Sequence, residues 1–459
     1  MHPSTRGGPV AAPVISTAQV TYDTDRAHVF HSWSAQKSLR PMVIERSEGC
    51  RLWDGDGRSY LDFTSQLVFT NIGHQHPRVV AAIQEQAAKL CTIAPAHAND
   101  ARAEAARLVA EVAPDGMDKV FFTNGGADAN EHAVRMARLH TGRYKVLSAF
   151  RSYHGATAET INFSGDHRRW INDYGSAGAV HFHAPFLYRS EFHSETEQQE
   201  CERALEHLDS LIRFEGPQAF AALLIETIPG TSGIMPPPPG YLAGVREICD
   251  RYGIVMICDE VMAGFGRTGA WLAVDHYDVT PDLITFAKGV NSGYVPLGGV
   301  IIGERIASTF DDRVYQGGLT YSGHPLACAA AVATIETMRD EGIVENAAAI
   351  GRDVLGPGLR ALADKHPSVG DVRGLGVFWA LDLVRDRETK EPLAPYGGTS
   401  PAIGETLAAA KDNGLLVFNQ YHRLHIVPPC IITPDEVREG LAILDAALDV
   451  ADSHTVSDR

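Results

Sequence analysis

The chain has 459 residues, 44% of them hydrophobic and 21% charged, with a formal net charge of −17. That length predicts two or three domains, the balance is that of an ordinary globular protein rather than a disordered or collagen-like one, and the acidic surface disfavours nucleic acid and anionic membranes, so small molecules are the expected partners. Seven scattered cysteines without metal or redox spacing, and no apolar leader or membrane-spanning run, lead us to expect free thiols and a cytoplasmic protein.

Residues 1–25 mix Pro, Gly, Ser and Thr without periodicity and read as a flexible arm. Short strands are expected over residues 42–63, around the turn Asp54-Gly55-Asp56-Gly57 with Leu52, Trp53, Tyr60 and Leu61 flanking it. Val79, Val80, Ile83 and Ala87 recur at helical spacing and predict a helix over residues 77–90, with another over 100–112. We expect residues 26–80 to join a small domain, 81–335 to form a large domain, and 336–459 to form the rest of a smaller α+β domain.

Continuously apolar runs mark the large domain: residues 119–123, 221–226, 254–259 and 283–286. Strands buried on both faces look like this, so the expected fold class is α/β, a mostly parallel sheet flanked by helices. The prolines at 236–239 predict a rigid surface connection. After Pro325 an alanine-rich helix should lead to new strands near residues 377–383 and 424–427 and then to a closing amphipathic helix.

Three of the buried runs end in or lead to an ionisable residue: Glu226, Asp259 and Lys288. Ligands bind at the carboxyl ends of strands in open parallel sheets, so these groups are expected to converge on one crevice. Taken singly, each also reads as a solvent-facing residue at the start of a loop. After the first run, Gly125-Gly126-Ala127 precede a helical pattern through Ala129, Ala133, Met136, Ala137 and His140. Free N–H groups and the positive helix end there suit a phosphate, although a Gly-Gly pair is equally an ordinary turn.

A phosphate site, an acid and a lysine at strand ends are the parts that pyridoxal phosphate needs. The segments Asp259-Glu260-Val261-Met262-Ala263-Gly264-Phe265-Gly266-Arg267-Thr268-Gly269 and Pro281-Asp282-Leu283-Ile284-Thr285-Phe286-Ala287-Lys288-Gly289 resemble the signature of the class III, or ω-, aminotransferases. The likeness runs from about Trp33 to the closing helix and includes Gly73-His74-Gln75-His76-Pro77, Ser152-Tyr153-His154-Gly155 and Thr320-Tyr321-Ser322-Gly323-His324-Pro325.

The resemblance implies a pyridoxal-phosphate enzyme of fold type I that moves an amino group from a donor to a 2-oxo acid by ping-pong kinetics. It implies that Lys288 carries the cofactor, Asp259 pairs with its ring nitrogen, and Gly125, Gly126 and Ala127 hold its phosphate. Tyr153 would stack on the ring with His154 beside it, Val261 would pack on the other face, and Glu226 would lie near the ring oxygen. Thr320 would reach the phosphate of a neighbouring subunit, which implies a homodimer or a dimer of dimers. Trp33, Tyr153 and Arg423 are the expected substrate contacts. Related enzymes place a carboxylate-reading arginine just before a Pro-Pro pair; that position holds His425 here, and Arg423 shares its strand face. A solvated strand-edge arginine is the other reading of Arg423.

The chain departs from the family at Gly125, where many members have serine, at Met262, where the ornithine and γ-aminobutyrate branches have glutamine, and at Thr227, where proline is common. These departures direct the expectation toward amines, β-amino acids or taurine. A same-fold decarboxylase or aminomutase would keep every cofactor residue, whereas a non-catalytic regulator would need a DNA-binding segment that the charge does not favour. No metal is expected: the histidines in residues 73–76 and 181–183 lack a third ligand, and Asp54 and Asp56 belong to the hairpin. Arg267 and Arg373, in glycine-rich turns, read as structural.

Overall fold

The computed structural model describes residues 18–172 and 178–456. Ala18–His28 is a helix with none of its side chains buried, so the end of the segment expected to be a loose arm is ordered; residues 1–17 lie outside the described residues.

Strands β1 (Ile44–Glu48), β2 (Arg51–Asp54) and β3 (Ser59–Asp62) form an antiparallel meander. Asp54 makes its turn: Oδ1 accepts the N–H groups of Asp56 (3.1 Å) and Arg58 (2.9 Å), and Oδ2 accepts the Tyr60 hydroxyl (2.7 Å). An aspartate that satisfies the turn backbone in this way needs no bound ion. Helices follow at Pro77–Lys89, with proline in its first turn, and Asp100–Glu111, where the Asn99 side chain accepts the Arg102 N–H (2.9 Å). Both lie against the helix Pro325–Asp340, whose alanines allow close approach.

The central sheet has seven strands: β4 (Lys119–Thr123), β5 (Lys145–Ala149), β6 (Ala179–Phe182), β7 (Phe220–Glu226), β8 (Val255–Asp259), β9 (Leu283–Phe286) and β10 (Gly298–Ile302). Their order is β4-β10-β9-β8-β7-β5-β6, parallel from β9 through β6, with β10 antiparallel to both of its neighbours. Every residue of β7, β8 and β9 is buried, which is why their sequences are continuous apolar runs rather than alternating ones. The register sets Glu226 opposite Asp259 and Asp259 opposite Thr285, so the three strands end together.

A second mixed unit follows: β11 (Val369–Leu375), β12 (Phe378–Asp386), β13 (Glu391–Pro392), β14 (Leu415–Leu416), β15 (Phe418–Gln420) and β16 (Arg423–Ile426). β11-β12-β16-β15 form an antiparallel sheet with β13 beside β12, while β14 runs parallel to β3 and so ties residues near both ends of the chain into one sheet. The closing helix Pro434–Asp452 starts from a capping box between Thr433 and Glu436.

Arg267 locks these layers together. Fully buried, it donates to Ser65 Oγ (3.0 Å), Asn71 Oδ1 (2.7 Å) and the carbonyls of Val377 and Pro428. Among the described residues, no helix is long and apolar enough to cross a membrane.

Candidate active site

The ends of β7, β8 and β9 open onto a cavity of about 410 Å³. Gly126, Ala127, Tyr153, His154, Glu226, Asp259, Val261 and Lys288 all line it, with Asn130, Gly155, Ala156, Thr157, Thr231 and Met262 completing the wall. Gly125 is the residue before the helix Gly126–Thr141. Trp33 is 69% exposed and Thr320 is exposed too; neither lines this cavity, and Arg423 stands on β16 outside it.

Lys288 follows the last residues of β9 with φ = 45°, a left-handed conformation that costs a non-glycine residue about 1–3 kcal/mol. The fold holds its amine here at that cost. Burial pushes the amine down to about 8, although Asp259 and Glu226 both pull it upward. An amine in this range is neutral often enough near neutral pH to act as a nucleophile and a proton carrier.

Asp259 is 4% exposed and held on three sides. Oδ1 accepts the Val261 N–H (3.0 Å), and Oδ2 accepts Asn130 Nδ2 and His154 Nδ1, both at 2.8 Å. Donors of this kind favour a charged carboxylate. Glu226 accepts the Tyr153 N–H (2.9 Å) on one oxygen and the Gly230 N–H (2.8 Å) on the other. Burial pushes it up to about 7, with Asp259 adding to the rise and His154 opposing it.

The helix Gly126–Thr141 points its N-terminus at the same cavity and has no side-chain cap. Its first N–H groups therefore remain for a ligand, and the positive helix end suits a phosphate. Gly126 has a separate reason to lack a side chain: a Cβ there would lie 2.9 Å from the Val261 methyl groups.

The Arg168 guanidinium stacks 3.6 Å from the Tyr153 ring centre, while Asp166 takes its Nε (2.9 Å). Arg423, 3% exposed, is no solvated edge residue: its Nε reaches Asp382 Oδ2 (3.2 Å) and its Nη1 is buried without a hydrogen-bond partner. His425, on the same face of β16, also has both ring nitrogens without a partner, and burial pushes it down to about 3. The loop 230–234 packs between, since a Cβ on Gly233 would lie 2.4 Å from Arg423 Cδ, while Thr231 of the same loop lines the cavity.

Four contributors are given no role by the sequence reading: Asn130, Arg168, Thr227 and Thr285. Asn130 lies one turn beyond Gly126 and so points the same way, a spacing that a helical reading could have used. Arg168 sits in a charged run that looks like surface. Thr227, where proline is common, donates to Glu260 Oε1 (2.6 Å), and Glu260 also accepts the Ala273 and Val274 N–H groups, both at 2.9 Å. The histidines of the two metal-like motifs have other partners: His74 Nε2 lies 3.0 Å from Asp62 Oδ2, and His181 Nε2 lies 3.2 Å from the Ser164 carbonyl.

These residues fit pyridoxal phosphate in kind and place: an amine of lowered basicity, a buried carboxylate, an uncapped helix end and an aromatic wall around one cavity. Comparison with known proteins agrees. Residues 33–448 match the family model described as Aminotransferase class-III. The taurine–pyruvate aminotransferase of Bilophila wadsworthia (strain 3_1_6) is 33% identical over 93% of this chain and 98% of its own. The 4-aminobutyrate aminotransferase GabT of Escherichia coli (strain K12) is 34% identical over 90% of this chain and 95% of its own. The structure of taurine:2-oxoglutarate aminotransferase from Bifidobacterium kashiwanohense, in complex with PLP and glutamate, superposes with a TM-score of 0.93 at 42% identity, covering 96% of this chain and 99% of that one. The chain belongs to the class III aminotransferases, pyridoxal-phosphate-dependent transaminases of fold type I.

Proposed function

We propose that this transaminase takes its amino group from a donor with an anionic far end, a taurine-like amino sulfonate or an ω-amino acid, and delivers it to pyruvate or 2-oxoglutarate. The observation that carries this reading is the gathering of Lys288, Asp259 and Glu226 around one cavity at the ends of β7, β8 and β9, with Arg168 stacked on Tyr153 of its wall and Arg423 packed against the loop that holds Thr231. Similarity to both taurine and 4-aminobutyrate enzymes supports a donor with its amine and its anion at opposite ends.

Pyridoxal phosphate, when bound, supplies an aldehyde carbon for the amine and a ring that accepts the electrons released when a substrate proton leaves. In this reading Lys288 would hold it, and the Lys288 amine, once free, would move the proton from the donor carbon. Asp259 keeps the ring nitrogen protonated. Gly125, Gly126 and Ala127 would bind the phosphate, Tyr153 and Val261 would hold the ring, and Glu226 would lie near its oxygen. The same residues act in the reverse half-reaction toward the 2-oxo acid.

Arg423 is the proposed reader of the anionic end, with a buried Nη1 that has no hydrogen-bond partner. Thr320, exposed beside exposed Tyr321, supports a homodimer or dimer of dimers in which it completes the partner's phosphate site and Trp33 reaches the substrate. Residues 26–80 and 336–459 as one small domain, residues 81–335 as the cofactor domain, and a cytoplasmic location complete the proposal.

The test is a donor panel of taurine, β-alanine, 4-aminobutyrate and a neutral alkylamine, each with pyruvate and with 2-oxoglutarate. Anionic donors should exceed the alkylamine in kcat/KM by at least about tenfold, and Arg423→Gln should remove that advantage through KM. A neutral amine as the best donor would overturn the reading.

A further inference from the structure

Arg423 and His425 stand two residues apart on β16 and so share one face of the sheet, the face that Ala380 and Asp382 of β12 also form. Both are buried, and between them they hold three polar atoms without a hydrogen-bond partner among the described residues: Arg423 Nη1 and the two ring nitrogens of His425. Most buried donors in folded proteins have acceptors, so donors without one on adjacent side chains point to an acceptor that a ligand supplies. Resting on the reading of Arg423 as the residue that meets the donor's anionic end, we propose that His425 is a second reader of that end. Arg423, His425 and Thr231 then form a three-donor subsite that selects a sulfonate over a carboxylate.

Each member contributes one donor. Arg423 spends Nε on Asp382 Oδ2 (3.2 Å), which leaves Nη1. His425 is held neutral: burial and the charges of Arg423 and Arg373 push it down to about 3. A neutral imidazole carries one N–H and one lone pair, and the hydrogen can sit on whichever nitrogen faces the anion, so His425 donates without adding charge. Phe418 packs beside its ring, with centres 5.0 Å apart, and Ala380 lies opposite it on β12. The Thr231 hydroxyl meets a weak acceptor, Met262 Sδ, at 3.9 Å. Thr231 lines the cavity, and its loop packs on Arg423 through Gly233, where a Cβ would lie 2.4 Å from Arg423 Cδ. This loop therefore joins the donor's path to the two side chains on β16.

The number of donors decides the ligand. A sulfonate presents three equivalent oxygens on a tetrahedral sulfur, and each weakly basic oxygen gains from a donor of its own. A carboxylate presents two oxygens in one plane and is best served by a guanidinium fork. Bound in place of a sulfonate, it leaves one of the three donors buried and unpaired, a cost that the sulfonate does not bear. A charged side chain at position 425 would strengthen both anions alike, whereas a neutral N–H rewards the extra oxygen.

Ethanesulfonate and propionate carry the two anions on the same two-carbon chain and lack the amine, so they bind without reacting. Calorimetric titration of the whole cofactor-loaded enzyme should show ethanesulfonate bound at least about tenfold more tightly than propionate. His425→Phe keeps a flat ring beside Phe418 and removes the N–H, so the preference should fall to within about threefold through weaker ethanesulfonate binding. His425→Gln, whose amide keeps a donor, should restore part of it. A native enzyme without the preference, or a His425→Phe enzyme that keeps it, overturns the proposal. Arg423→Gln separates that result from failure of the reading beneath it. Weaker binding of both anions upholds Arg423 as the reader whatever His425 does, and unchanged binding of both removes that reading and this inference with it. Should His425→Phe not fold, Thr231→Val removes the third donor at constant shape: a smaller preference supports the subsite, and an unchanged one overturns it.

Discussion

Asp382 on β12 stands directly opposite Arg423 on β16, and its carboxylate is shared among Arg423, Arg373, Arg189 and His422. Burial alone would raise this carboxyl, but the close approach of His422 (3.2 Å) and the arginine charges hold it far below the ordinary carboxylate range. Removing one partner of a buried ionic group leaves the others uncompensated. Asp382→Ala should therefore destabilise the protein by about 3–5 kcal/mol, read from the guanidinium midpoint at constant slope. A loss below about 1 kcal/mol would show that the arginines find other partners.

Asp259→Asn keeps the size of the side chain and removes its charge. Whichever way its amide turns, the NH2 group meets a donor, either the Asn130 and His154 pair or the Val261 N–H, so the arrangement that suits a carboxylate turns against the variant. The half-reaction with a good donor should slow by about a thousandfold or more, equivalent to about 4 kcal/mol of barrier at ~1.4 kcal/mol per tenfold. Stopped-flow absorbance on cofactor-loaded variant measures it; a rate within a few-fold of native would remove Asp259 from the proton-transfer step.

Lys288 governs how the apoenzyme takes up its cofactor. Only the neutral amine attacks an aldehyde, and burial has brought this amine down to about 8. The second-order rate of cofactor capture should rise with pH and level off above about 8, rather than climbing toward the ordinary lysine value near 10.4. Mixing apoenzyme with cofactor across pH 6 to 10 tests this, and a rate still rising tenfold between pH 9 and 10 would contradict it.

Glu226 gives the apoprotein a pH-dependent stability. Its folded value of about 7 lies above the usual 4.5, so the native state binds a proton more tightly than the unfolded chain. The sign follows: its contribution is fully present below about pH 4.5 and lost as pH rises through 7. The span is at most about 3.5 kcal/mol, at ~1.4 kcal/mol for each tenfold gain in proton affinity. In urea titrations at pH 5, 6, 7 and 8, the stability of the native apoprotein relative to Glu226→Gln should fall as pH rises to about 7 and level off above it. Parallel curves would show that Glu226 does not titrate in this range.

Much of this arrangement was legible because the chemistry left a mark in one dimension. β7, β8 and β9 are buried on both faces and read as unbroken apolar runs, and Glu226, Asp259 and Lys288 stand where those runs stop. The hairpin at Asp54 and the helices after Pro77 and Asp100 carry their own turn and spacing signals. What stayed hidden depends on side chains meeting across the fold. Asn130 and Thr285 look like any helix and strand residue until 155 positions of chain bring them to 2.8 Å. Arg423 read equally well as a solvated edge residue, because nothing local shows that Asp382, Arg373 and Arg189 surround it. Strand β10 runs against its neighbours, which burial alone does not reveal, since a buried strand is apolar in either direction.

Glu226 has a consequence for the breadth of donors. Its two oxygens take the backbone N–H groups of Tyr153 and Gly230, which belong to two separate loops whose residues Tyr153 and Thr231 line the cavity. A single short side chain thus acts as a spacer of set length, and the walls cannot part without breaking a buried bond. The width of the opening is a built dimension, so the range of amines accepted is governed by what projects into it. Ala156, Thr231 and Met262 are the side chains to exchange when a bulkier or slimmer donor is wanted, and loop length is the wrong variable to change.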